Sequence, residues 1–198
     1  MSDATVLSRF LHYVSFDTQS ARESDSAPST AKQLKLAEVL VTELKAMGID
    51  DAHLGTGGVV YASIPATAGC ETSPAVGFIA HMDTSPDAPG ADVKPRVIRF
   101  TGTDVTLNEK EGLVFSTDQF PEIKKYAGED IVFTDGTTLL GADDKAGVAA
   151  VMSMAAYVTA HPEMPHAKLC IGFTPDEEVA RGTVNFNIEH FGAAYAYT

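Results

Sequence analysis

The stretch Ala75-Val76-Gly77-Phe78-Ile79-Ala80-His81-Met82-Asp83 decides how this chain is read. A continuously apolar or small run leads straight into a histidine and an aspartate. Runs of this kind, without polar alternation, suit strands covered on both faces, as in a mostly parallel α/β sheet. Such folds place their ligands in the crevice at the carboxyl ends of the strands, where His81 and Asp83 fall. Alternation along an extended chain puts positions two apart on the same face, so the imidazole and the carboxylate can cooperate. One ring nitrogen can bind a metal while the carboxylate orients the ring. Taken alone, a His-x-Asp at a strand end is more often a plain polar pair.

Outward from this run, Gly58–Ile64, Asp130–Thr134 and Lys168–Phe173 read as further strands, the last almost as apolar as Ala75–Ala80. Upstream, Val6, Leu7, Phe10, Leu11 and Val14 recur at three- and four-residue steps and predict a first helix over 4–16. The Ser- and Asp-rich stretch 17–29 reads as loop. Thr30 is then expected to cap a second helix with Leu34, Leu36, Ala37, Leu40, Val41, Leu44 and Met47 on its apolar side, ending at Gly48. A third helix, rich in Ala, Val and Met, lies between Asp144 and His161. Residues 85–126 carry more Pro, Gly and charge and read as an excursion with short strands. The expected fold class is α/β, a mostly parallel or mixed sheet covered by helices on both faces.

Two more polar clusters follow apolar runs. Gly141-Ala-Asp-Asp-Lys-Ala-Gly147 joins Thr138-Leu-Leu140 to the third helix. Acidic residues are favoured at helix N-termini, but one suffices for capping, and the flanking Gly and Ala leave room for something to approach. A carboxylate has two oxygens, so Asp143 could bridge two cations ~3.5–4 Å apart, as two-metal hydrolases require. Thr174-Pro-Asp-Glu-Glu178 follows the strand Lys168–Phe173. Three successive acids are usually a solvated loop, yet adjacent glutamates at a strand end can divide metal binding from general-base work. Three such clusters at the ends of three predicted strands argue for a metal-assisted hydrolase.

Composition narrows the partners. With 198 residues and a formal net charge of -13, the chain lacks the positive field that nucleic acid or anionic lipid demands, so a small molecule is the expected partner. No apolar run approaches the ~20 residues that span a bilayer, and no secretory signal pattern is visible, so the chain reads as cytoplasmic. Cys70 and Cys170 lie in no metal-type spacing; no disulfide framework is expected, and Cys170 reads as a small buried strand residue.

Phe78-Ile-Ala-His-Met-Asp-Thr-Ser-Pro86, Thr138-Leu-Leu-Gly-Ala-Asp-Asp-Lys-Ala-Gly147 and Phe173-Thr-Pro-Asp-Glu-Glu-Val179 closely resemble the peptidase T family. These are tripeptide aminopeptidases among the co-catalytic zinc exopeptidases, together with aminoacylase and carboxypeptidase G. Arg9-Phe-Leu-His-Tyr-Val-Ser-Phe-Asp-Thr-Gln-Ser20 and Ala194-Tyr-Ala-Tyr-Thr198 match the same family in the same order. The resemblance implies a site for two zinc ions: His81 on one, Glu178 on the other, Asp143 bridging both. It makes Asp83 the residue that orients His81 and Glu177 the general base, with a small peptide as substrate. It further implies a cis peptide between Asp143 and Asp144.

In that family the segment resembling Ala194–Thr198 continues into further ligands and a lid and dimerisation domain. Residues 1–198 are therefore expected to be the N-terminal part of the catalytic domain of a longer enzyme, for which a homodimer stays open. By itself the chain is expected to bind zinc weakly and to leave tripeptides uncleaved. Dipeptidases and deacylases of the family share the metal motifs, so tripeptide specificity rests on the sequence outside them. Two readings compete: a non-catalytic metal-binding or interaction module, and a two-metal phosphoesterase, which the ordered peptidase motifs disfavour.

Overall fold

Thr5 opens the first helix, its side chain accepting the Ser8 N–H at 3.1 Å. The computed structural model describes residues 4–198, and in it this helix, α1, runs Val6–Tyr13. The loop predicted after it is present, and α2 follows at Gln33–Ala46. Thr30 does not cap α2 with its side chain, contrary to expectation. Its hydroxyl instead donates to the Gln19 carbonyl at 2.7 Å, a non-local partner that competes with the helix terminus. At the other end Gly48 takes a φ of 86°, the left-handed turn that glycine makes without strain.

Nine strands follow: β1 His53–Leu54, β2 Val60–Ile64, β3 Val76–His81, β4 Arg96–Arg99, β5 Val105–Asn108, β6 Leu113–Phe115, β7 Asp130–Phe133, β8 Leu169–Thr174 and β9 Tyr195–Tyr197. Helix α3 spans Ala142–Ala160 and α4 Ile188–Phe191. The main sheet has the order β1-β2-β8-β3-β9. It is mixed: β3 runs parallel to β8 and β9, while β2 is antiparallel to both β8 and β1. The two most apolar predicted strands, β3 and β8, are thus interior neighbours, paired from Val76↔Leu169 to His81↔Thr174. The excursion forms two small ladders, β4 with β7 and β5 with β6. Phe115, Phe120 and Phe133 pack around them, with ring centroids 5.1 and 5.4 Å from Phe115.

Strand alternation divides the core. Val76, Phe78 and Ala80 of β3, Leu169, Ile171 and Phe173 of β8, and Val60, Ala62 and Ile64 of β2 face one way. Against them pack Phe10 and Tyr13 of α1, Leu36, Leu40 and Leu44 of α2, and Val148, Met152 and Ala155 of α3. Each fully buried Leu of α2 contributes about 1.5–3 kcal/mol of transfer free energy. The opposite face holds a smaller cluster of Val59, Tyr61, Cys170 and Phe191, with Phe186 beside it. Helices therefore cover both faces, but unequally: three long helices on one side, and on the other the short α4 with the loop before it. Gly77 and Gly172 admit this second layer, since a Cβ at Gly77 would meet Phe191 at 2.5 Å and one at Gly172 would meet Phe186 at 3.0 Å.

Cys70 and Cys170 are both free. Among the described residues no helix is long and apolar enough to cross a membrane.

Candidate active site

Three chain segments converge where β3 and β8 end. His81 is the last residue of β3, Asp143 and Asp144 open α3, and Asp176 to Glu178 follow β8. Hydrogen bonding fixes the histidine. Its Nδ1 lies 3.1 Å from the Asp83 carbonyl oxygen and 3.4 Å from Asp83 Oδ1. Both neighbours only accept, so Nδ1 carries the proton and Nε2 faces the cleft. There Nε2 stands 2.8 Å from Asp143 Oδ1 and 3.7 Å from Glu177 Oε2.

Asp83 is wholly buried, and its charge is satisfied from a second direction. Its Oδ1 accepts the Glu177 N–H at 2.9 Å and its Oδ2 the Glu178 N–H at 3.1 Å. One carboxylate therefore sets both the histidine ring and the backbone that carries the two glutamates. By contrast, the Asp143 side chain is 87% exposed and that of Glu177 60% exposed, so the reactive face of the cluster opens to solvent.

The two aspartates at the start of α3 divide as the sequence implies. Asp144 Oδ1 accepts the Gly147 N–H at 3.0 Å and caps the helix, which leaves Asp143 free to face His81. The peptide between them is cis, as the resemblance implies.

Charge follows from this geometry. Burial lowers the His81 pKa, but hydrogen bonds to Asp83 and Asp143 and the surrounding carboxylates outweigh it and push it up to about 9. Burial raises the Asp144 carboxyl, partly offset by the Gly147 hydrogen bond. Glu178 is raised by desolvation, with the charges of Asp143, Asp83 and Glu177 adding to it and His81 opposing.

A nitrogen and a carboxylate oxygen converging on one solvent-open point form a donor set that suits a divalent cation, and Asp83 presets the imidazole for it. His81 and Asp143 are the pair that meets. The Glu178 carboxylate makes no hydrogen bond among the described residues. Nor do three His, Cys, Asp or Glu side chains among those residues stand close enough together to hold one ion.

Two residues of the site have roles that local pattern does not disclose. Asp176 belongs to the acidic triplet but is buried: it accepts the Ser29 N–H at 2.7 Å, the Ser29 hydroxyl at 2.5 Å and Gln33 Nε2 at 2.7 Å. It anchors the loop that presents the glutamates to the chain before α2. Lys145, 1% exposed, donates from Nζ to the Phe16 carbonyl at 2.8 Å, and burial draws its pKa down to about 8 against the pull of Asp17 and Asp83.

Comparison with known proteins adds a resemblance. No family model matches the chain. Peptidase T of Desulfitobacterium hafniense is 51% identical over 196 residues, 98% of this chain and 47% of the relative. Peptidase T of Clostridium acetobutylicum is 50% identical over 194 residues, with the same coverage. The chain resembles the N-terminal part of peptidase T. It spans about half the length of the peptidase T relatives it matches. Among solved structures, aminopeptidase PepT from Bacillus cereus superposes with a TM-score of 0.66 at 21% identity, covering 100% of this chain and 43% of that one. A tripeptidase from Staphylococcus aureus gives 0.66 at 22%, with the same coverage. Aminoacylhistidine dipeptidase from Vibrio alginolyticus gives 0.61 at 21%, covering 99% and 32%. These structural matches show that the chain shares its fold with part of each of these proteins.

Proposed function

We propose that residues 1–198 are the N-terminal part of the catalytic domain of a zinc-dependent aminopeptidase that releases the first residue of tripeptides. The observation that carries this is the double duty of Asp83, which holds the His81 ring and the Glu177–Glu178 backbone while Asp143 stands 2.8 Å from the same ring. Resemblance to peptidase T supplies the reaction class. His81, Asp143 and Glu178 would hold two zinc ions, with ligands from a longer chain completing each set. Zinc so held supplies a lowered water pKa and polarisation of the scissile carbonyl.

The chain's own residues do the rest. Asp83 keeps the Nδ1 proton on His81, so that Nε2, which shares its proton with Asp143, is the nitrogen that would give that proton up and turn a lone pair to a bound cation. Glu177, exposed beside His81, takes the proton from the attacking water and returns it to the departing amine. Asp176 and Asp83 fix the loop on which Glu177 sits, which limits how far its carboxylate wanders from the reacting atoms. The exposed Asp143 and Glu177 side chains leave a small peptide open access.

The test is hydrolysis of a tripeptide, a dipeptide and an N-acyl amino acid by the full-length zinc-loaded protein that carries this segment. Turnover of the tripeptide, lost on chelation and restored by zinc, is expected. Preference for the dipeptide or the acyl amino acid would move the assignment elsewhere in the family. Activity that survives chelation would overturn it.

A further inference from the structure

Away from the cleft around His81, two imidazoles from distant parts of the chain meet at the edge of the main sheet. His53 lies on the edge strand β1 and His190 on α4, and their Nε2 atoms stand 3.1 Å apart. His53 Nδ1 lies 2.7 Å from the Asp51 carbonyl oxygen. A carbonyl only accepts, so Nδ1 carries the hydrogen and the neutral ring turns its Nε2 lone pair toward His190. Tyr61 braces both rings, stacked on His53 at 5.8 Å and edge-on to His190 at 4.9 Å. Its hydroxyl accepts the Asn187 N–H at 2.7 Å, which ties the start of α4 to the sheet. A cleft of about 220 Å³ opens in front of the pair, with Asp51 and Lys168 as opposite charges on its rim.

We propose that His53 and His190 form a bidentate site for a divalent transition-metal ion that favours imidazole, namely zinc, nickel or copper. The nitrogen separation supports this. Two nitrogens at ~2.0–2.1 Å from one tetrahedral ion stand about 3.3 Å apart, and adjacent nitrogens in a square arrangement about 2.9 Å apart. The observed 3.1 Å falls between them. Ring orientation agrees. Two imidazoles radiating from one ion place their centroids about 4.5 Å apart in a square arrangement and about 5.2 Å apart in a tetrahedral one, whereas a straight N–H···N hydrogen bond of this length places them about 5.4 Å apart. Here the centroids are 5.0 Å apart, with the rings inclined at 77°.

Among the described residues no third His, Cys, Asp or Glu completes the set, so water fills the other positions. The site binds more weakly than one with three protein ligands, and copper binds ahead of nickel and zinc. Its consequence is structural. An ion here staples α4, and with it the thin layer over the second sheet face, to strand β1.

Nickel titration followed by NMR of the six histidine Cε1–H signals tests the proposal. Signals of His53 and His190 are expected to broaden together, and His81→Gln leaves that behaviour unchanged. Either His53→Gln or His190→Gln removes one tooth of the chelate and is expected to weaken nickel binding at the surviving partner at least tenfold. With His81 replaced by Gln so that the cleft does not contribute, nickel is expected to raise Tm when both His53 and His190 are present and not when either is also replaced by Gln. Both replaced side chains are exposed, and circular dichroism of each variant without metal verifies its fold. If one histidine still broadens at the original nickel concentration after the other is replaced, or if neither broadens, the proposal is overturned.

Discussion

The Asp83 side chain accepts the backbone N–H of Glu177 at 2.9 Å while the same carboxylate lies 3.4 Å from His81 Nδ1. It is thereby a positioning residue for two groups of the site. Asp83→Ala strands two N–H donors and releases the ring, and partners of this kind cost 10–100-fold in metal affinity or activity when removed. We expect zinc affinity and kcat both to fall within about that range. Calorimetric zinc titration together with tripeptide kinetics checks it, and unchanged zinc affinity would remove Asp83 from this role.

Glu43 joins α1 to α2. Its Oε1 accepts Arg9 Nε at 2.7 Å and its Oε2 the Tyr13 hydroxyl at 2.6 Å, with both partners almost completely buried. Glu43→Ala leaves a buried guanidinium without its counter-charge and is expected to cost about 3–5 kcal/mol in denaturant unfolding. Glu43→Gln keeps an acceptor and should cost less.

Tyr13 gives the fold an alkaline limit. Burial, then the hydrogen bond to Glu43 and its charge, raise the phenol above its usual value of about 10. The folded state thus holds the proton more tightly than the unfolded chain. That stability is fully present below pH 10 and is lost as pH rises above it, where the unfolded phenol ionises first. Tyr13→Phe should show a shallower loss of unfolding free energy as pH rises above about 10. An identical slope in the two proteins would contradict the assignment.

Gly77 tests the thin second layer. A side chain there runs into Phe191 and into Ala196, whose Cβ is 2.9 Å from the added atom. Gly77→Val should destabilise by at least the ~1–3 kcal/mol usual for overpacking, and Phe191→Ala should recover part of that loss in the double variant. Strictly additive effects would show that the two positions do not compete for the same space.

Much of this was legible because the informative signals are local. The apolar runs of β3 and β8 announce interior strands, and their ends announce where His81 and Glu177 gather. What stayed hidden depends on partners far away in sequence. Asp176 looks like its acidic neighbours until Ser29 and Gln33 surround it, and Lys145 looks like a surface cation until the Phe16 carbonyl receives it. Thr30 has the composition of a cap, yet Gln19 takes its hydroxyl. His53 and His190 carry no motif at all, since only the pairing of β1 with β2 and the docking of α4 bring them together.

The most direct test of the account is the kcat of Glu177→Gln in the full-length zinc-loaded protein acting on a tripeptide. General-base catalysis by a positioned carboxylate contributes about 10²–10⁴-fold, and the amide cannot take the proton. The predicted result is a kcat lower by that factor, with zinc content retained and KM little changed. A kcat within a few fold of the unsubstituted enzyme would contradict the assignment of Glu177, and with it the reading of the cleft between β3 and β8.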